Sequence, residues 1–322
     1  MKRIYLYGTN LIIFKPLKTP VLFLIFNRPD KTQKSFEAIA RVRPEVLYVS
    51  ADGPRSHRPD DARLCEASRK IIEQVDWPCE LHTDFSDHNL GCKEGPLKGI
   101  NWLFSRHEQG IIIEDDCVPS ASFFNYCEEL LQKYQHDNRI MMITGMNRLV
   151  NEISDPEYSY FFSNLGEIWG WATWKRAWNH YDKNMTLWPE AKKKEILFQY
   201  LDSPAYALRL EEKFDRVYHQ KITTAWDYQW LLTMALNNGL SIVPGINQVS
   251  NIGFGEDATH TRNVRHSTAF LPNYELPLPL KHPPYVVRDK RVDKLQQRKK
   301  LRPGYTFLFK NFSRLLPYLP NI

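Results

Sequence analysis

Apolar residues in the first half of the chain alternate between two patterns. Short runs of β-branched and aromatic residues read as buried strands: Val21–Phe26, Val46–Ser50, a run near Cys79–Thr83, Ile111–Ile113 and Met141–Thr144. Between them the apolar positions recur at helical spacing. Phe36, Ile39 and Ala40 mark a first helix, with Asp30 or Thr32 placed to cap it. A polar helix is predicted over residues 60–75. Leu97, Ile100, Leu103 and Phe104 mark the next, and Phe123, Phe124, Cys127, Leu130, Leu131 and Tyr134 form the stripe of another behind a capping Ser120. Strands alternating with helices at this spacing predict βαβ units around a parallel sheet.

After residue 144 the pattern becomes aromatic and irregular. Tyr158–Phe162 reads as a strand and Glu167–Trp171 as a loop. Trp174 and Trp178 read as an i,i+4 pair on a helix facing the core. A helix over Trp226–Leu236 is expected to end at Gly239, before a strand at Leu240–Val243. Proline-rich residues 272–284 read as a linker. The expected layout is a leader or extra edge strand over 1–18, an α/β domain with a mixed, mostly parallel sheet over 19–265, and a linker with a basic tail over 266–322.

Charge changes the picture once it is divided. The formal net charge is +6, from 43 Lys and Arg against 37 Asp and Glu. Residues 281–322 hold eleven basic and two acidic side chains, so the remainder holds 32 basic and 35 acidic ones. A mildly acidic body excludes nucleic acid as the expected partner. In the tail, Lys290, Arg291, Lys294, Arg298, Lys299, Lys300 and Arg302 precede Tyr305, Phe307, Leu308, Phe309, Phe312, Leu315 and Leu316. Residues 288–319 thus suit an anionic membrane surface; the competing expectation is a solvated charge run with a helix docked on the domain. No run of about 18 apolar residues reads as a transmembrane helix, and residues 1–14 carry no signal-peptide cleavage pattern. Five cysteines without a C-x-x-C pair argue against a zinc site or a disulfide framework. A cytoplasmic protein, peripheral at the inner face of the membrane, is expected.

The candidate chemistry centres on Ile111-Ile112-Ile113 running into Glu114-Asp115-Asp116. Three carboxylates leaving a buried strand need a cation, hydrogen-bond donors or open water. Ligands of open α/β sheets bind beyond the carboxyl ends of the strands, so a divalent cation with a phosphate-bearing ligand fits there; a solvated acidic turn is the plain alternative. Mn²⁺ or Mg²⁺ would take Asp116 as direct ligand, while Glu114 faces a sugar or ribose. Asp52 ends another strand and suits a nucleotide base or ribose, unless it is only a turn residue before Gly53. Arg28, likewise at a strand end, suits a diphosphate. His260 is a candidate metal or phosphate contact. Asp227, flanked by Trp226 and Tyr228 at a helix start, is either a first-turn carboxylate or a general base, with Trp226 and Trp230 as a sugar platform. Trp169, Gly170 and Trp171 either line a carbohydrate site or lie buried under their loop. Dinucleotide, P-loop and serine-hydrolase motifs are absent.

At these residues the chain resembles glycosyltransferases of the GT-A fold. IIIEDDCVPSASFFNY is similar to the acidic metal motif and following helix of the N-acetylglucosaminyltransferase I family. In the same order, FNRPD resembles that family's strand-end arginine, SADGP its nucleotide-binding aspartate and GEIWGWATW its acceptor-side loop. TAWDYQW resembles its Trp-Asp-Asp-Trp, and SNIGFGEDATH its nucleotide-covering loop. The resemblance covers about residues 19–265. It implies metal ligation by Asp116, uridine contact by Asp52, diphosphate contact by Arg28 and base catalysis by Asp227, with Asp115 and Glu114 on the donor side. Tyr228 departs from the pattern, which has a second acid there. That family's membrane anchor and stem are not expected here, and the chain looks more like a bacterial relative building surface polysaccharide or lipid-linked glycans. The implied function is transfer of a sugar from a nucleotide-sugar donor to a glycan or lipid-linked acceptor. A sugar-nucleotide nucleotidyltransferase and a non-catalytic carbohydrate-binding protein are the alternatives.

Overall fold

Strand segments without a polar face have nothing to offer water, and here they occupy the middle of one sheet with helices on both sides. The computed structural model describes residues 16–149, 152, 157–254, 270–301, 312–315 and 318. Its strands are β1 (Val21–Ile25), β2 (Val46–Ala51), β3 (Glu80–Phe85), β4 (Gln109–Glu114), β5 (Cys117–Pro119), β6 (Ile140–Thr144), β7 (Tyr160–Ser163), β8 (Trp171–Trp174), β9 (Leu240–Pro244) and β10 (Val249–Asn251). Eight form one sheet in the order β3-β2-β1-β4-β8-β6-β9-β7, and β5 pairs with β10 separately. The β3-β2-β1-β4 half is parallel throughout; β8 runs antiparallel to both β4 and β6, and β7 antiparallel to β9. The protein is therefore α/β, with a mixed, mostly parallel central sheet.

Residue alternation along β1 sorts the two cores. Val21, Phe23 and Ile25 face α1 (Pro29–Val42) and α4 (Ala121–Lys133). Leu22 and Leu24 face α3 (Gly91–Arg106) and the helical second half of the chain. That half comprises α5 (Lys175–Trp178), α6 (Trp188–Lys193), α7 (Ile196–Tyr200), α8 (Pro204–Tyr218) and α9 (Asp227–Leu236). The polar α2 (Asp61–Lys70) follows β2. Only Phe26, Asn27 and Arg28 separate β1 from α1, because Pro29 has its φ preset for the first helical turn. The expected capping by Thr32 is not used: its hydroxyl donates to the Arg28 carbonyl (2.9 Å).

Several local expectations are corrected. Trp171 opens β8 rather than ending a loop, and Trp174 closes that strand before α5 begins. The left-handed residue after α9 is Asn238 (φ 49°), not Gly239. The proline-rich segment is packed on the body rather than spanning solvent: Leu276 and Leu280 are buried, and the Glu275 carboxylate accepts from the Ala121 and Ser122 N–H groups (3.0 and 2.7 Å). Glu275 thereby does for α4 what was expected of Ser120.

The described parts of the tail are docked. In α10 (Lys290–Lys300), buried Asp293 accepts from Ser163 Oγ (2.5 Å). Gln297 Oε1 accepts from the Asp202 and Ser203 N–H groups at the start of α8. In α11 (Phe312–Leu315), Arg314 pairs with Glu211 (2.8 Å). Lys290, Lys294 and Arg298 point to solvent. Among the described residues no helix is long and apolar enough to cross a membrane. Residues 1–15 and 302–311, on which the leader and much of the apolar tail expectation fall, lie outside the described residues.

Candidate functional site

The acidic residues leave the sheet where it changes direction, between parallel β4 and antiparallel β8, with the end of β1 alongside. Ser35 on α1 fixes the turn by donating to the Asp115 carbonyl (3.0 Å). Arg28 reaches both aspartates. Its Nε and Nη2 donate to the two Asp115 oxygens, and its Nη1 lies 2.8 Å from Asp116 Oδ2. Burial works against the guanidinium charge, yet Asp115 and Asp116 hold its pKa above the ordinary value. Burial also raises the Asp115 carboxyl, and Arg28 offsets only part of that. Glu114, half-buried at the last position of β4, is pushed up to about 8 by burial and by its Asp116 and Asp115 neighbours. Only when a cation draws the proton off Glu114 are three carboxylates set against one guanidinium, and the two negative charges then in excess equal the charge of one divalent ion.

Asp116 is enclosed from its other side by the segment after β10. The Ile252 N–H donates to the Asp116 carbonyl (2.8 Å), and Gly253 passes so close that a side chain there would overlap Asp116 Oδ2. Gly253 is held in that approach by donating to Asn251 Oδ1 (2.8 Å). Beyond it Phe254 meets Trp169 edge-on (5.7 Å), and Arg148 lies over the Trp169 ring (5.5 Å). Arg148 in turn pairs with Glu167 (2.7 Å), which Lys300 of α10 also meets (2.7 Å). Burial opposes ionisation of Glu167, but Arg148 and Lys300 outweigh it and hold the carboxyl down at about 2.

The remaining predicted residues separate into two groups. Asp227 is the first residue of α9 and solvent-exposed, and its charge is felt at Glu114, Tyr181, Tyr228 and Lys300. Trp169, against Phe254 and Arg148, is partly exposed. Gly170 takes a left-handed φ of 66° that favours glycine, and a side chain there would crowd Val249. Trp171 and Trp226, expected to line a sugar site, instead pack into an aromatic core with Trp178 and Trp230 (Trp171–Trp226 5.9 Å). Their exposures of 0% and 5% leave no ring face open to a ligand.

Asp52 is likewise corrected. Its carboxylate accepts from the Gly53, Leu90 and Gly91 N–H groups and from Asn89 Nδ2, at 2.7–3.0 Å. A carboxylate has about four acceptor sites, so these donors fill it, and Asp52 ties the end of β2 to the start of α3 instead of presenting oxygens to a base. His260 lies outside the described residues.

No protein-family model and no curated protein matches the chain. Solved structures do match, weakly. A mannosyltransferase from Pyrobaculum calidifontis, in complex with GDP-Man and Mn²⁺, matches 50% of this chain at 11% identity and a TM-score of 0.33; this chain covers 46% of its length. A UTP-bound UGPase from Acinetobacter baumannii matches 73% of this chain at 6% identity (TM-score 0.37), with 88% of its own length covered. The inositol-1-phosphate CTP transferase from T. maritima matches 79% at 9% identity (TM-score 0.37), with 95% covered. Likeness at this level decides nothing about chemistry, and the fold class rests on the sheet itself.

The site's own donors fit a divalent ion. Carboxylate oxygens are the ligands Mg²⁺ and Mn²⁺ take, and the two uncompensated charges match one such ion at Asp116 and Glu114. Among the described residues no three His, Cys, Asp or Glu side chains converge as a metal cage; such ions in phosphate-handling sites draw most of their ligands from substrate and water. Sequence reasoning missed Arg148, Glu167, Asn251 and Gly253. Glu167, Asn251 and Gly253 lie inside motifs already named, but only contacts made by distant residues give them a role.

Proposed function

We propose that the chain is a metal-dependent inverting glycosyltransferase of the GT-A type. It would move a hexose or N-acetylhexosamine from a nucleotide diphosphate sugar, UDP-linked, to a hydroxyl of a glycan or lipid-linked acceptor. The observation that carries this reading is the acidic turn at the carboxyl end of β4, where Arg28 meets Asp115 and Asp116 and Gly253 packs against Asp116; Asp227 at the start of α9 is the proposed base. Glycosyl transfer needs two functions in one cleft: charge stabilisation for a departing diphosphate and a base for the attacking hydroxyl. A nucleotidyltransferase needs the first and a loop after its first strand to wrap a triphosphate. The three residues between β1 and α1 are too few for that loop. Burial of Trp171, Trp178, Trp226 and Trp230 weakens the reading as a carbohydrate-binding module.

In this mechanism Arg28 keeps N–H donors beyond those given to Asp115 and Asp116, and it orients the diphosphate with them. Bound at Asp116 and Glu114, Mn²⁺ or Mg²⁺ would supply charge neutralisation at that diphosphate. Trp169 offers a partly open ring for the sugar. The N-terminus of α9 favours the ionised form of Asp227. Asp227 takes the acceptor hydroxyl proton as the oxygen bonds to the anomeric carbon and the diphosphate leaves from the opposite face, which inverts the configuration. The membrane expectation now rests on Lys290, Lys294 and Arg298, the solvent-facing charges of α10.

The test is turnover of a panel of nucleotide sugars with and without Mn²⁺, in wild type and Asp227→Asn. Metal-dependent sugar transfer is expected, lowered by about 10²-fold or more in the variant, with donor affinity retained. Unchanged turnover in Asp227→Asn removes its role. Formation of a nucleotide sugar from UTP and a sugar phosphate assigns the chain to the nucleotidyltransferases instead.

A further inference from the structure

A cavity of about 630 Å³ opens between α3 and the segment that follows α5, with none of the acidic-turn residues in its walls. Ligand sites run from about 300 to 1,000 Å³, so it is large enough to hold a small molecule. Two hydrogen bonds tie its walls to the proposed site. Leu90, on one wall, donates its N–H to Asp52 at the end of β2 (2.7 Å). On the other, the Tyr181 hydroxyl donates to the carbonyl of Trp226, the residue before α9 (3.1 Å). The cavity therefore adjoins both the strand-end rim and the start of α9, where an acceptor longer than one sugar would extend.

Its walls suit a ring with hydroxyls. Tyr181 stacks on buried Trp178 (4.5 Å, 11°), which fixes the ring and leaves its opposite face for a sugar. Asn101 accepts from Trp178 Nε1 (2.8 Å), so its amide N–H donors stay available to the cavity. The turn carrying Lys183 is locked by Asp182, which accepts from the Asn184 N–H (2.9 Å). The charges around the cavity do not cancel. Lys98 meets Asp84 (2.8 Å) and Lys183 meets Glu94 (2.8 Å). Lys93 reaches from α3 to donate to the Lys183 carbonyl (3.4 Å), and among the described residues no carboxylate lies within ion-pair distance of it. Burial and Lys183 both oppose the Lys93 charge, and Glu94, already paired with Lys183, only partly supports it. A half-buried ammonium so placed calls for an anion from outside the chain.

We propose that this cavity is the acceptor subsite and that it selects an anionic saccharide, a sugar bearing a carboxylate or a phosphate. Lys93 and Lys183 meet the anion, Tyr181 underlies the ring and Asn101 takes ring hydroxyls. The inference rests on the glycosyltransferase reading and adds the chemical class of the acceptor to it.

Binding is testable without turnover. In full-length protein labelled with ¹³C-lysine, the Lys93 and Lys183 side-chain signals, assigned by their loss in Lys93→Arg and Lys183→Arg, are followed during titration with glucuronate, glucose 1-phosphate, inorganic phosphate and glucose. Both signals should shift saturably with the two anionic sugars, whose affinity should exceed that of glucose by about tenfold or more, and the tighter of the two identifies the anion. Lys93→Met should weaken both by about tenfold or more, as loss of a charge-assisted contact does. Its melting temperature should stay near wild type, because no ion pair is lost, and Lys93→Arg should retain binding. No saturable shift with either anionic sugar, or equal affinity for glucose, overturns the proposal. Equal affinity for inorganic phosphate and glucose 1-phosphate overturns its saccharide part. In the transfer assay Lys93→Met should raise the acceptor KM by about tenfold with donor KM unchanged, and an acceptor KM that ignores the substitution removes the cavity from the acceptor's path. Anionic-sugar binding in a protein that transfers no sugar sinks the glycosyltransferase reading while leaving the anionic-saccharide site in place.

Discussion

Replacing Arg28 by methionine isolates what holds the acidic turn together. The substitution keeps a long apolar stem and removes the one cation that Asp115 and Asp116 share. Their side chains are 4% and 12% exposed, and that of Arg28 is 19% exposed, so solvent screens the cluster poorly. A pair about 4 Å apart at an effective dielectric near 20 is worth roughly 4 kcal/mol before desolvation is counted. Removing one partner of a buried pair costs about 3–5 kcal/mol, because the other charge stays buried without compensation. Since two carboxylates lose their partner at once, Arg28→Met should destabilise by about 4 kcal/mol at neutral pH, read by urea denaturation with tryptophan fluorescence. Burial has already raised the Asp115 carboxyl, so it takes up a proton earlier than an ordinary aspartate as pH falls. The deficit should therefore shrink as pH falls and Asp115 takes up its proton. Combining Arg28→Met with Asp115→Asn should cost less than the sum of the two, with a coupling of about 2 kcal/mol. A loss below about 1 kcal/mol, or strict additivity, refutes the view that Arg28 is the internal counter-ion.

Two further outcomes follow from the same geometry. Gly253→Ala should push Asp116 or the segment after β10 aside and weaken Mn²⁺-dependent UDP binding by about tenfold or more in calorimetry, with little change in melting temperature; unchanged binding would take Asp116 out of the site. Burial pushes Asp293 up to about 6, while an unfolded aspartate titrates near 3.9. Between those values the unfolded chain releases the proton and the folded one keeps it, so stability falls by about 3 kcal/mol as pH rises through roughly 4 to 6. Asp293→Asn should lack that fall, and a wild type with the same pH profile as the variant contradicts the assignment.

The strands of the sheet were legible because burial on both faces leaves a run such as Ile111–Ile113 one interpretation. The stripes of α1 and α4 were legible for the complementary reason, a single apolar face. β8 was not, since Trp171-Ala172-Thr173-Trp174 is short and opens at a glycine, as a loop would. The acidic turn and the strand-end position of Arg28 were readable, but not that guanidinium and carboxylates bind one another across 87 residues of sequence. Asp52 shows the opposite failure. Its position at a strand end suggested a ligand contact, while the backbone N–H groups that fill it come from Leu90 and Gly91, which nothing local to Asp52 announces. For the same reason the sequence left the tail between two expectations: its basic composition is explicit, while its acidic partners, Glu167 and Glu211, lie elsewhere.

The reversed strand at the centre of the sheet also has a consequence for biosynthesis. Once residue 114 has left the ribosome, β3, β2, β1 and β4 can assemble, with the β3-to-β4 connection passing over β2 and β1. The outer margin of β4, three isoleucines flanked by unpaired amides, then stays uncovered until Trp171–Trp174 emerges to dock there. Slow translation between those points would prolong a sticky intermediate. Recombinant yield should accordingly respond more to codon choice over residues 115–174 than to changes anywhere in the finished surface.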